Sequence, residues 1–86
     1  MTIPNKNSRK IVVKNEPYRW IISLKDKYII FIAEHEKYKG RRVEFHIHSE
    51  NKIITPKDAA EYILEATEKG WNPKEKGSPL VFEVLI

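Results

Sequence analysis

The sequence predicts an α+β domain: an antiparallel sheet of four to five strands with one helix packed on one face, in the order β-β-β-β-α-β. Three observations predict it. Residues 9–49 hold short runs that are β-branched or alternate apolar with polar residues, separated by polar turns. Residues 54–73 hold a single helical period between a Thr-Pro start and a Gly-Trp-Asn-Pro stop. The chain then returns to an apolar strand, LVFEVLI, over residues 80–86.

Arg9 to Lys14 (RKIVVK) reads as a first strand, ended by a turn at Asn15-Glu16-Pro17. Tyr18 to Leu24 alternates, with Tyr18, Trp20, Ile22 and Leu24 on one side, up to the polar turn Lys25-Asp26-Lys27. Tyr28 to Ala33 (YIIFIA) is apolar on both sides, as a central strand must be. The charged stretch 34–41 follows as a hairpin loop, with Gly40 as its residue suited to positive φ. Arg42 to Ser49 sets Val43, Phe45 and Ile47 opposite Glu44, His46 and His48.

The helix spans about 56–69. Thr55 caps it, Pro56 fills the first position where no N–H is needed, and Asp58 completes a capping box. Ala59, Ala60, Ile63, Leu64 and Thr67 form the buried stripe, while Glu61, Glu65 and Glu68 form a solvated one. Gly70 ends the helix, and Trp71 is expected to be at least half-buried against its last turn. Loop 72–79 leads into the last strand, whose sense, parallel or antiparallel, is left open.

At 86 residues the chain makes one small domain, 9–86, behind a frayed start at 1–8. The absence of cysteine excludes disulfides, thiolate metal sites and a Cys nucleophile. No apolar run approaches the roughly 18 residues of a membrane span, and MTIPNKNSRK lacks the apolar stretch of a secretory signal, so the expectation is a cytoplasmic protein without membrane contact. With three Gly in all and no Gly-x-Ser-x-Gly turn, phosphate-cradling loops and serine hydrolase motifs are absent.

One helix covers one face of such a sheet. If it lies over Trp20, Ile22, Tyr28, Ile30, Ile32, Val43, Phe45 and Ile47, the opposite face shows Ile21, Ile29, Phe31 and Ala33 beside Glu44, His46 and His48. Monomers seldom expose apolar patches beyond a few hundred Å², so this face is expected to meet a partner, above all a second copy, through Ile21, Ile29, Phe31, His46 and His48. A protein partner is a further possibility. The competing arrangement has loop 72–79 and residues 1–10 fold across the patch.

Two alternatives carry chemistry. The net charge of +4 is polarised: +5 over residues 1–27, +1 over 28–54 and −2 over 55–86. Arg9, Lys10, Lys14, Arg19, Arg41 and Arg42 are the candidate contacts to nucleic acid, and Tyr18, Trp20, Tyr28, Phe31 and Tyr38, interleaved with Arg19, Lys25, Lys27 and Lys39, have the composition of a sheet that stacks single-stranded bases, although no RNP-type motif is present. His46 and His48 stand about 7 Å apart on one strand face beside Glu44. They could join a zinc or nickel site, or act as acid and base beside Arg41 and Arg42 on a phosphodiester. A metal site lacks further ligands, since the loop register keeps His35 away from His46. The preferred reading is a non-enzymatic interaction module with no catalytic residue, metal or cofactor assigned.

Ile54-Thr55-Pro56, the helix with Ala59, Ile63 and Ala66, Gly70-Trp71-Asn72-Pro73 and Lys76-Gly77-Ser78-Pro79-Leu80 together resemble the carboxy-terminal half of a family of small uncharacterised bacterial proteins. The resemblance covers about a third of the chain. It implies the fold and a bacterial cytosolic origin, and no activity.

Overall fold

The structure is a computed structural model that describes residues 8–38, 40–49 and 52–85; the frayed start expected at 1–8 lies outside it except for Ser8. The fold is α+β. A five-stranded sheet in the order β1-β2-β3-β4-β5 is built from Arg9–Val13, Glu16–Leu24, Ile29–His35, Val43–His48 and Leu80–Leu85, with α1 at Pro56–Glu68. The first four strands form an antiparallel meander, and β5 pairs parallel with β4, so the sheet is mixed. A parallel pair needs a long crossover, and α1 with its flanking loops supplies it.

The turns set the register. Lys14 and Asn15 both have positive φ, 50° and 65°, which makes β1-β2 a two-residue hairpin of the mirror-image turn type; the turn therefore lies one residue earlier than Asn15-Glu16-Pro17, and Pro17 enters β2. The β2-β3 turn holds four residues, 25–28, closed by Lys25 N–H donating to Tyr28 C=O at 2.9 Å, and it pairs Leu24 with Ile29.

That turn corrects the facing of β3. A three-residue turn would start the strand at Tyr28 and put Ile30 and Ile32 under the helix. With Tyr28 in the turn, Trp20 meets Ala33 and Ile22 meets Phe31, so Ile29, Phe31 and Ala33 join Val43, Phe45 and Ile47 on the helix side. Ile29 is 4% and Phe31 0% exposed, which removes both from the open face where the sequence put them. Tyr28, Ile30 and Ile32 stand in their place.

The strand also runs on past Ala33. Glu34 and His35 are buried strand residues rather than part of a hairpin loop, because β2 begins early enough to pair Tyr18 with His35. Gly40 sits close against loop 72–79. A Cβ there would stand 2.7 Å from the carbonyl oxygens of Pro73 and Glu75, so it is close approach of loop 72–79 that calls for glycine.

The capping box forms as expected: Asp58 N–H donates to Thr55 Oγ1 at 3.2 Å, and Thr55 N–H donates to Asp58 Oδ2 at 3.0 Å. The buried residues of α1 are Ala59, Ile63 and Ala66, with Tyr62 between Phe31 and Phe45 at ring distances of 5.4 and 4.9 Å. Thr67 stands off that stripe and donates its hydroxyl to Leu64 C=O at 2.7 Å. Gly70, at φ 103°, closes the helix: its N–H donates to Thr67 C=O and Trp71 N–H donates to Ala66 C=O. Trp71 is 3% exposed, and its indole N–H donates to Arg41 C=O at 2.8 Å.

Candidate functional site

The side of the sheet away from α1 is read directly from the register, because cross-strand partners share a face. Its rows are Lys10-Arg19-Glu34, then Ile21-Ile32-Glu44-Val81, then Ser23-Ile30-His46-Glu83, then His48-Leu85. Ile21, Ile30 and Ile32 form an aliphatic centre. Val81 and Leu85 are exposed at one margin and Val12, opposite Pro17, at the other; Ile30 is buried, and polar and charged groups fill the rest.

The expected ladder on β4 exists and is longer than the sequence suggested. Arg42 Nη2 lies 3.2 Å from Glu44 Oε2, and Glu44 Oε1 lies 3.2 Å from His46 Nε2. Glu83 of β5 faces both imidazoles, with Oε2 3.5 Å from His46 Nδ1 and Oε1 2.5 Å from His48 Nε2. The Tyr28 ring stacks on His48 at 5.6 Å and lies over His46 at 5.8 Å. Glu83 and Tyr28 were missed as site residues. The signal for Glu83 was its alternation with Phe82 and Val84, which puts it in the same row as Val81 and Leu85 once β5 pairs parallel in register with β4.

This arrangement gives little to the chemical alternatives. Among the described residues no group of three or more His, Asp or Glu is arranged to hold a metal ion. For acid and base work the two imidazoles would need free nitrogens and nearby cations. Carboxylates already occupy both nitrogens of His46 and Nε2 of His48, and Arg42 is tied to Glu44. Arg41 sits at the end of the sheet, its guanidinium against Gly77. His35 is away from His46 as expected, on the helix side of β3. Its Nδ1 accepts from Lys37 N–H at 3.1 Å and from Tyr38 N–H at 3.4 Å, and its Nε2 stands 3.5 Å from Glu16 Oε1, so it braces the β3-β4 connection.

The basic candidates for nucleic acid are dispersed. Lys10 and Arg19 both pair with Glu36 at 3.3 Å, Lys14 forms the β1-β2 turn, and Arg9 lies over the Trp20 ring on the helix side. Paired cations release fewer counterions to phosphate than free ones, and these six do not share a surface.

Charge perturbations concentrate at the sheet end that carries loop 72–79. The Lys74 ammonium, 2.8 Å from Glu16, holds the Glu16 carboxyl below its ordinary range, and Glu16 in turn raises Lys74. Burial raises the Tyr18 hydroxyl, whose ring packs on His35 and Trp71. Loop 72–79 is fastened here through Arg41 N–H to Glu75 C=O, so it lies at the end of the sheet rather than across the aliphatic centre.

Compared with family models, curated proteins and solved structures, the chain matches none. No helix among the described residues is long and apolar enough to cross a membrane.

Proposed function

We propose that this chain is a non-enzymatic interaction module that pairs with a second copy of itself through the open face of its sheet. The observation that carries the reading is the aliphatic centre of Ile21 and Ile32, half-buried on the side opposite α1, with Ile30 buried beside them. A two-fold axis running along the central strand keeps each cross-strand row at its own height, so Ile32 of one copy meets Ile32 of the other with Ile21 at the flank. Such a patch is small and partly polar, which fits a dissociation constant on the order of micromolar. Ile29 and Phe31 have no part in it. His46 and His48 stand at its rim with their carboxylate partners.

Sedimentation tests the reading. The unmutated chain should dimerise with rising concentration, and Ile32→Asp should leave a folded monomer. An unmutated chain that stays monomeric at every concentration, or a dimer indifferent to Ile32→Asp, overturns it.

A further inference from the structure

A separate feature lies at the margin of the helix side. β1 begins at Arg9 opposite Trp20, and among the described residues those of β2 from Ile21 onward have no β1 partner. This step in the sheet, closed on a third side by Ile54 from the approach to α1, leaves a cleft of about 390 Å³ lined by Arg9, Trp20, Ile21, Ile22 and Ile54. That volume is near the small end of ordinary small-molecule sites, roughly 300–1,000 Å³.

Among the described lining residues only Arg9 is charged. Its guanidinium carbon stands 5.6 Å from the centre of the Trp20 ring, and among the described residues no carboxylate pairs with it. A guanidinium held over an indole keeps its in-plane N–H groups free for a planar anion, and a carboxylate matches that fork with two hydrogen bonds. The walls beyond it are aliphatic and cannot satisfy a second charge or a row of hydroxyls.

We infer that this cleft binds a monocarboxylate with an apolar body, its carboxylate on Arg9 and its hydrocarbon between Ile22 and Ile54. A polyanion would find one cation and an apolar wall, which disfavours nucleotides and oligonucleotides. The cleft shares Ile21 with the proposed dimer face, and its other lining residues, Arg9, Trp20, Ile22 and Ile54, lie outside that face.

The test is a titration of the isotopically labelled full chain with octanoate, followed by amide and side-chain NMR shifts, with octanamide as the uncharged counterpart. Octanoate should shift the Trp20 indole N–H and the Ile22 and Ile54 methyl signals in a saturable way. Octanamide should bind at least about tenfold more weakly, and Arg9→Gln should weaken octanoate by a similar factor, since a charge-assisted pair is lost in each case. Arg9 is exposed, so Arg9→Gln leaves the core intact. No saturable shift at millimolar octanoate, shifts confined to Tyr28, Ile30 and Ile32, equal binding of octanamide, or an Arg9→Gln chain that binds as well as the original each overturn the inference.

Discussion

On the helix side of the sheet Phe31, Ala33, Val43, Phe45 and Ile47 are wholly buried and meet Ile63, Tyr62 and Trp71, whereas on the open side Ile21 and Ile32 are half-buried among Arg19, Glu44 and His46. The strands are the same; the covering is not. A chain of this length can build one helix-on-sheet core, and its second face must stay partly polar or find a partner. Isoleucine is used on both sides, so residue type alone does not separate them. The separation comes from whether a cross-strand row ends in aromatic and aliphatic groups or in charges. Rows such as Ile22-Phe31-Phe45-Phe82 stay apolar across the sheet, while Ser23-Ile30-His46-Glu83 does not.

The sharpest break of this comparison is a pair of neighbours on β3. Phe31→Ala removes a ring that touches Trp20, Phe45 and Tyr62, and it should cost about 3–5 kcal/mol. That is most of the stability such a domain possesses. Ile32→Ala, one residue on and facing the other way, should cost far less in the monomer and act on association instead. Urea unfolding of both variants checks this, and equal losses would mean that the two faces are packed alike.

A middle-sized effect tests whether loop 72–79 belongs to the sheet end rather than to the open face. At Gly40 a Cβ would press on two backbone oxygens, which cannot swing aside like a side chain, so Gly40→Ala should destabilise by about 1–3 kcal/mol. Gly70→Ala meets nothing within 4 Å, yet its φ of 103° makes it strained for any L side chain, and a cost near 1 kcal/mol is expected. A Gly40→Ala chain as stable as the original would show that the loop can lift from residues 40–42.

The local signals in the sequence were strong where chemistry is local. Thr55, Pro56, Asp58, Gly70 and Trp71 specify the helix and both its ends, and the alternation of Val43, Phe45 and Ile47 fixes the facing of β4. The facing of β3 was not legible, because YIIFIA is apolar in both phases and a single extra turn residue reverses it. The pairing of β5 was not legible either, since a strand returning from a helix can add in either direction. For that reason Glu83 was absent from the expected site while Glu44, His46 and His48 were present. The helix stripe was read about one position off near its end, where Thr67 resembled a core residue by spacing and Ala66 filled the place.

The smallest expected effect concerns how the helix layer responds to acid. Thr55 backbone and hydroxyl groups donate to the Asp58 carboxylate and hold its pKa below the ordinary carboxylate range. A carboxyl whose folded-state pKa lies below its unfolded value binds protons more readily when unfolded. Its contribution is therefore complete above the unfolded pKa, near 4, and is lost as pH falls through the lower folded value. Glu16, lowered by Lys74, acts in the same direction and in the same acidic window, so the acid loss of the unmutated chain contains both. Asp58→Asn separates them, because asparagine keeps the shape at the helix start without the charge. The variant should be less stable than the original at pH 7, and by less than Thr55→Ala, which removes the cap itself. The difference between the two chains should shrink as the pH is lowered below about 4. Unfolding free energies measured at intervals between pH 7 and pH 2.5 would show this convergence, and two parallel curves would mean that the capping carboxylate contributes nothing that depends on its charge.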